Sequence, residues 1–293
     1  MAGTPNAEVA VSEALVSVLV ADQHPQYAHL PVTFAAEGWD NFTFRLGEAL
    51  AVRLPRRAAS VELIVNEQRW LAVAARDVSL PVPAPLATGV AGRGYAWPWS
   101  IVPWIEGTPV AHAPLDEDQG VALANVLRDL HHPAPEGAPT NPVRGVRLDS
   151  RRERFEPCLD RVRGSCDLIS PAIDRAWKDA LAAPFTQSPV WLHGDLHAQN
   201  VLSRNGKLAG VIDWGDMCVG DPAVDLCGVW ILLSQASARA QALSRYAPDD
   251  DLVVRAIGWA ILFGATLYEN GRVDDPEHAA VGETTLRRLA EDL

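Results

Sequence analysis

The chain has 293 residues, 48% of them hydrophobic, and a formal net charge of −12. That length and apolar content suit one large domain or two lobes, each with its own core. The acidic balance argues against nucleic acid as a partner, because binding phosphate backbones wants clustered Lys and Arg. Four cysteines, Cys158, Cys166, Cys218 and Cys227, show no paired-motif spacing, so reduced thiols in a cytoplasmic protein are expected.

Residues 1–23 hold an apolar stretch with no basic leader and with Glu8, Glu13 and Asp22 inside it. An amphipathic first helix is expected there, rather than a secretion signal or a membrane span. Residues 30–34, 42–46 and 49–54 then alternate in character and are separated by turns at 37–41 and 47–48, which predicts a three-strand antiparallel meander. Residues 61–75 carry a helical pattern, and the prolines of residues 80–85 force an extended connector. An aromatic-rich strand is predicted over 97–105, ended by Glu106-Gly107.

Further along, residues 116–132 have helical spacing with Asp116 as N-cap, and a Pro/Gly-rich loop covers 133–142. Residues 144–163 are rich in arginine, with Arg151, Arg152 and Arg154 flanking Glu153. A solvated helix face is the simplest reading, and contact with substrate or phosphate is the other. After the central block, helices are predicted over 223–233, 251–268 and 276–293, with turns at Asn270-Gly271 and Asp274-Asp275-Pro276. Charge is uneven: residues 1–102 carry −2 and residues 103–293 carry −10, which would draw a cationic substrate to the second half.

Chemistry concentrates in residues 189–228. Two short apolar runs, 190–192 and 208–212, read as buried strands that hand over to polar residues: His193, Asp195, His197 and Asn200 after the first, Asp213 after the second. Asp195 and Asn200 stand at the D-x-x-x-x-N interval of a kinase catalytic loop. Phosphoryl transfer needs a carboxylate to orient and deprotonate the attacking hydroxyl, a role that fits Asp195. It also needs hard oxygen ligands for magnesium, and Asn200 with Asp213 fit that. On a strand, His193, Asp195 and His197 would share a face and suggest a hydrolytic metal site instead. No H-E-x-x-H or C-x-x-C occurs to complete one. Asp221 reads as the N-cap of a helix beginning at Pro222, and Asp225 as structural.

Three blocks in order, H-G-D-L-H-A-Q-N, V-I-D-W and G-D-P-A-V-D-L, resemble the signature of the aminoglycoside phosphotransferase family. The resemblance implies an α+β, protein-kinase-like two-lobed fold, with an antiparallel N-lobe sheet and a mainly helical C-lobe. It implies boundaries at residues 1–102, a hinge at 103–107, and 108–293. It makes Asp195 the catalytic base, Asn200 and Asp213 the metal ligands, and Asp225 a brace for the catalytic loop. The turn holding Gly38 and Asn41 would lie over the nucleotide phosphates, and Trp104 and Ile105 would meet the base at the hinge. Kinase-like folds place a lysine on the third strand. Here Arg53 takes that place, and the E-x-x-x-L pattern nominates Glu67 over Glu62 as its partner. Guanidinium grips phosphate oxygens well but with a different reach.

The expected function is transfer of the γ-phosphate of ATP or GTP, with Mg2+, to a hydroxyl of an antibiotic-like small molecule, an aminoglycoside first. A macrolide kinase and a metabolic kinase for choline-, sugar- or homoserine-type acceptors are the alternatives, and a nucleotide-binding protein without turnover is the rival of another class. Glu269, Asp274, Asp275 and Glu283 stand as contacts for substrate amines. A monomer with no membrane partner is expected. The chain lacks A-P-E and D-F-G, which argues against a protein kinase, and lacks a Walker A loop.

Overall fold

The computed structural model describes residues 5–293. The chain begins its regular structure at α1 (Glu13–Gln23), whose start is capped by the Ser12 side chain accepting from the Leu15 N–H. The meander follows as β1 (Val32–Glu37), β2 (Asn41–Leu46) and β3 (Leu50–Pro55). Two later strands, β4 (Ala87–Gly89) and β5 (Trp99–Pro103), complete an antiparallel sheet in the order β1-β2-β3-β5-β4. Alternation on β2 sends Phe42, Phe44 and Leu46 inward, where they meet Val16, Leu19 and Val20 of α1 and Trp99 and Ile101 of β5. β5 is shorter than the predicted aromatic strand, which frees residues 104–107 to cross into the second half.

Between β3 and β4 lies α2 (Val61–Ala74), which buries Ile64, Glu67, Leu71 and Ala74 on one stripe. A carboxylate on such a stripe needs a partner, and β3 supplies it, as described below. After β6 (Thr108–Pro109) the chain becomes mostly helical: α3 (Gly120–Leu130), α4 (Arg152–Ser165) and α5 (Pro171–Ala182). The site-bearing strands come next, β7 (Val190–Leu192), β8 (Val201–Arg204), β9 (Lys207–Val211) and β10 (Cys218–Gly220). β7 pairs with β10, while β8 and β9 form a hairpin joined by β6. The chain ends with α6 (Ala223–Leu226), α7 (Gly228–Leu232), α8 (Ala236–Tyr246), α9 (Asp250–Asp274) and α10 (Pro276–Asp292). The four cysteines are unpaired.

Several boundaries differ from expectation. α3 begins after a short 3-10 turn, and Asp116 stands as the N-cap residue of that turn rather than of α3, with no side-chain capping bond. The arginine-rich helix starts only at Arg152, after the Asn141 side chain turns the chain by accepting the Val143 and Arg144 N–H groups and a 3-10 turn spans Leu148–Arg151. The helix predicted over 223–233 is split into α6 and α7, and α5 and α8 were not expected at all.

The predicted turn at Asn270-Gly271 does not exist: α9 runs through it for 25 residues. By length and hydropathy α9 would cross a membrane, yet its apolar residues, Trp259 to Phe263 among them, are buried in the helical core. Gly271 is there because α10 packs hard against α9, and a Cβ at Gly271 would collide with the Ala279 backbone. Gly271→Ala is therefore expected to destabilise the fold by about 1–3 kcal/mol, despite alanine's better helix propensity. Urea denaturation checks this, and an unchanged or raised midpoint would contradict the α9–α10 contact.

Candidate active site

β7 delivers the chain to residues 193–200, which form a loop rather than a further strand. The loop is held at its start by Asp225 of α6. Its carboxylate accepts the His193 N–H at 2.6 Å and the Gly194 N–H at 2.9 Å. Gly194 takes φ +84°, and a side chain there would run into the Asp216 carbonyl. The buried His193 ring is committed on both nitrogens, with Nε2 donating to the Ile212 carbonyl (3.0 Å) and Nδ1 accepting from the Asp195 N–H (3.2 Å). The loop therefore gives His193, Asp195 and His197 no common strand face, and His193 works as a structural clamp. His131, at the end of α3, sits 3.4 Å from the same Asp225 carboxylate and 2.7 Å from the Tyr246 hydroxyl. Asp221 accepts the Ala223 N–H and pairs with Arg255 at 2.6 Å.

Asp195 stands between opposite influences. Burial would raise its carboxyl, but the Arg144 guanidinium, 2.7 Å away, and His197 outweigh burial and hold it well below the ordinary carboxylate range. Arg144 also reaches toward Asp216 (3.7 Å) and lies over the Phe263 ring at 4.6 Å. Asp216 moves the other way: burial and the nearby Asp195 charge raise it against the pull of Arg144. Neither Arg144 nor Asp216 was singled out in the sequence. Arg144 opens the arginine-rich segment for which contact with substrate or phosphate is one reading, and the Asn141 side chain makes the turn that aims it.

Asn200 closes the loop. Its Nδ2 donates to the Asp195 carbonyl at 2.9 Å, and its own carbonyl accepts the Ile212 N–H at 2.9 Å. That last bond brings Asn200 beside Asp213, which follows β9 with φ +59°, a strained conformation that aspartate tolerates better than most residues. The Asp213 side chain stays 48% exposed while Oδ1 accepts from Arg53 at 2.8 Å.

Arg53, buried on β3, spreads its fork across two elements: Nη1 bonds Glu67 of α2 at 2.5 Å and Nη2 bonds Asp213. Burial works against the Arg53 charge, but the two carboxylates more than compensate and raise its proton affinity. For Glu67 burial is the larger influence and moves its carboxyl upward, with Arg53 pulling it back. Glu67, not Glu62, is thus the partner, and its Oε1 is buried without a hydrogen bond.

In front of Arg53 opens a cavity of about 360 Å³. Gly38, Asn41, Arg53, Trp104, Ile105, Asn200 and Asp213 all line it, with Val102, Leu202 and Ile212 as apolar walls. Glu67 stands behind Arg53, and Asp195 lies beside Asn200. The Gly38 turn is pinned by Arg56, which donates to the Gly38 carbonyl (2.9 Å) and pairs with Glu37. The Trp104 N–H is already committed to the Ala49 carbonyl (2.8 Å), so fewer backbone groups remain at the hinge than expected. Of the late carboxylates, Glu269 is bound to Arg161 and Glu283 to Arg287, while Asp275 caps α10 and pairs with His278.

The Asp225 fork yields a direct test. Asp225→Ala strands two buried N–H groups, each worth about 1–3 kcal/mol. A loss of roughly 2–5 kcal/mol in urea denaturation is expected, with faster amide exchange at Gly194. A change below about 1 kcal/mol would show that the loop holds its own shape.

Residues 31–257 match the phosphotransferase enzyme family. The viomycin phosphotransferase of Streptomyces vinaceus is 28% identical over 204 residues, covering 64% of this chain and 65% of that protein. A homoserine kinase of Gluconobacter oxydans is 30% identical over 209 residues, covering 65% of this chain and 62% of that protein. The chain thus spans just under two thirds of the length of these curated relatives. The solved GDP complex of aminoglycoside 2'-phosphotransferase-IIIa superposes with a TM-score of 0.67 at 16% identity, covering 97% of this chain and all of that one. This likeness shows the shared kinase-like fold, and with most of its length inside the family match, the chain belongs to the phosphotransferase enzyme family.

Proposed function

We propose that this chain is a small-molecule kinase that transfers the γ-phosphate of ATP or GTP to an acceptor hydroxyl. The observation that carries the reading is the meeting of Arg53, Asn200 and Asp213 around one cavity, with Asp195 hydrogen-bonded to Asn200 beside it. Residues 103–107 serve as the hinge between residues 1–102 and 108–293.

In this reading Asp195 orients the acceptor hydroxyl and takes up its proton. Its depressed proton affinity makes it a weak base in the resting state, which suits a loose phosphoryl-transfer transition state in which the proton leaves late. Arg53, kept charged by Glu67, offers its fork to the phosphates once a nucleotide competes with Asp213. The Gly38 turn and Asn41 cover the phosphates, and Trp104 and Ile105 border the base.

The donor set fits magnesium. The side-chain bonds of Asn200 run through Nδ2, leaving its amide oxygen open, and the half-exposed Asp213 adds a carboxylate, so both are hard oxygen ligands. When bound there, the ion neutralises charge on the phosphate oxygens.

An aminoglycoside acceptor is supported by the name of a curated relative, an aminoglycoside 3'-phosphotransferase of Escherichia coli, and by the −10 charge of residues 103–293. The unpaired cysteines agree with a cytoplasmic enzyme.

Asp195→Asn is expected to lower turnover by about 10²–10⁴-fold, while magnesium–nucleotide affinity by calorimetry changes little. Near-full turnover in a coupled nucleotide assay would end the kinase reading. Arg53→Ala is expected to weaken nucleotide binding and also to cost about 3–5 kcal/mol of stability, since it leaves Glu67 buried and unpaired. Unchanged nucleotide affinity in a folded Arg53→Ala protein would exclude it as a phosphate ligand.

A further inference from the structure

The His197 ring is buried between Asp195 and Asn200, with 7% of the residue exposed. Its Nδ1 accepts the Gln199 N–H at 3.3 Å, so the ring proton sits on Nε2. Nε2 lies 3.3 Å from Asp195 Oδ2 and 3.2 Å from Asn200 Nδ2. Nδ2 is itself a donor, and its hydrogens have acceptors on Asp195: the carbonyl at 2.9 Å and Oδ2 at 3.4 Å. Of these neighbours only the Asp195 carboxylate can take the Nε2 proton. With Arg144 on Oδ1 at 2.7 Å, the carboxylate is held at both oxygens and cannot turn freely. The 3.3 Å separation is long for a hydrogen bond, as resting catalytic contacts often are before substrate tightens them.

Behind His197 stands the start of α10. The His278 ring meets the His197 ring edge-on, with 5.8 Å between centroids. His278 Nδ1 lies 2.5 Å from Asp275, the residue that caps α10. The angle at which Nε2 addresses Asp195 is thus fixed from outside the loop as well as within it.

We infer that His197 is a positioning residue for phosphoryl transfer, whose Nε2–H holds the Asp195 carboxylate in the orientation that meets the acceptor hydroxyl. The inference rests on the kinase reading and deepens it, giving the base a second holder beside Arg144. Arg144 brings a charge on a flexible stem, whereas His197 brings a donor on a ring braced from two sides. Phosphoryl transfer is mostly positioning, so loss of that donor acts on turnover rather than on nucleotide binding.

Three variants separate this role from a merely structural one. His197→Gln places an amide N–H near Nε2, His197→Asn places its amide near Nδ1, and His197→Phe keeps the ring contact with His278 without a donor. His197→Phe and His197→Asn are expected to lower kcat by roughly 10–100-fold, with KM for Mg-ATP or Mg-GTP changed by less than about twofold. His197→Gln is expected to keep kcat within about fivefold of the unaltered chain. The acceptors are kanamycin and L-homoserine, with water as acceptor in slow nucleotide hydrolysis when neither is present. Nitrogen NMR of the unaltered chain gives a readout apart from turnover: the His197 proton is expected on Nε2, with a shift that moves in Asp195→Asn.

Equal rates in the Gln and Asn variants, full kcat in His197→Phe, or a proton found on Nδ1 overturns the inference and leaves the kinase reading standing. If calorimetry shows that His197→Phe no longer binds nucleotide, the Gln and Asn variants decide alone. No phosphoryl transfer by the unaltered chain, to either acceptor or to water, removes the kinase reading and the inference with it.

Discussion

One guanidinium joins the sheet, the α2 helix and the end of β9. Arg53 is nearly enclosed, and a charge so placed is tolerable only because Glu67 and Asp213 meet both arms of its fork. The consequence is geometric. β3 fixes Arg53, Arg53 fixes how α2 and the Asp213 loop approach, and Arg53 and Asp213 together form one wall of the cavity. A lysine could bond one carboxylate well, whereas a forked cation holds two at once. The departure from the usual kinase-like lysine is thus matched by a carboxylate on each side.

The opposite pole of the site is built from backbone. Asp225 collects two N–H groups of the 193–200 loop, the His193 ring ties that loop to Ile212, and the Asn200 carbonyl takes the Ile212 N–H. These bonds leave Asp195 little freedom in position, so its chemistry is set by charge. Arg144 and His197 hold its carboxyl low against the pull of burial, while burial raises that of Asp216 alongside.

What was legible in the residues follows from distance along the chain. Asp195, Asn200 and Asp213 lie within a β7–β9 segment whose short strands bring them together, so spacing alone exposed them. Glu67 was readable because helical periodicity set it on the apolar stripe of α2. Arg144 was not, since its aim depends on a side-chain turn at Asn141 and on a partner far along the chain. α5 carries a local start signal in Ser170-Pro171, a cap followed by a first-turn proline. α8 carries no such signal, and its place depends on packing against α3, where the Gly120 backbone meets Ala238 closely. Asn270-Gly271 shows the reverse error: local turn propensity lost to the contact between α9 and α10.

The central claim is that a metal-bound nucleotide fills the cavity lined by Arg53, Asn200 and Asp213. A crystal structure with magnesium and a non-hydrolysable ATP or GTP analogue tests it most directly. The account predicts phosphate oxygens on the Arg53 fork and the ion on the Asn200 amide oxygen and the Asp213 carboxylate. A nucleotide seated elsewhere, with Arg53 still bridging Glu67 and Asp213 across an empty cavity, would contradict it.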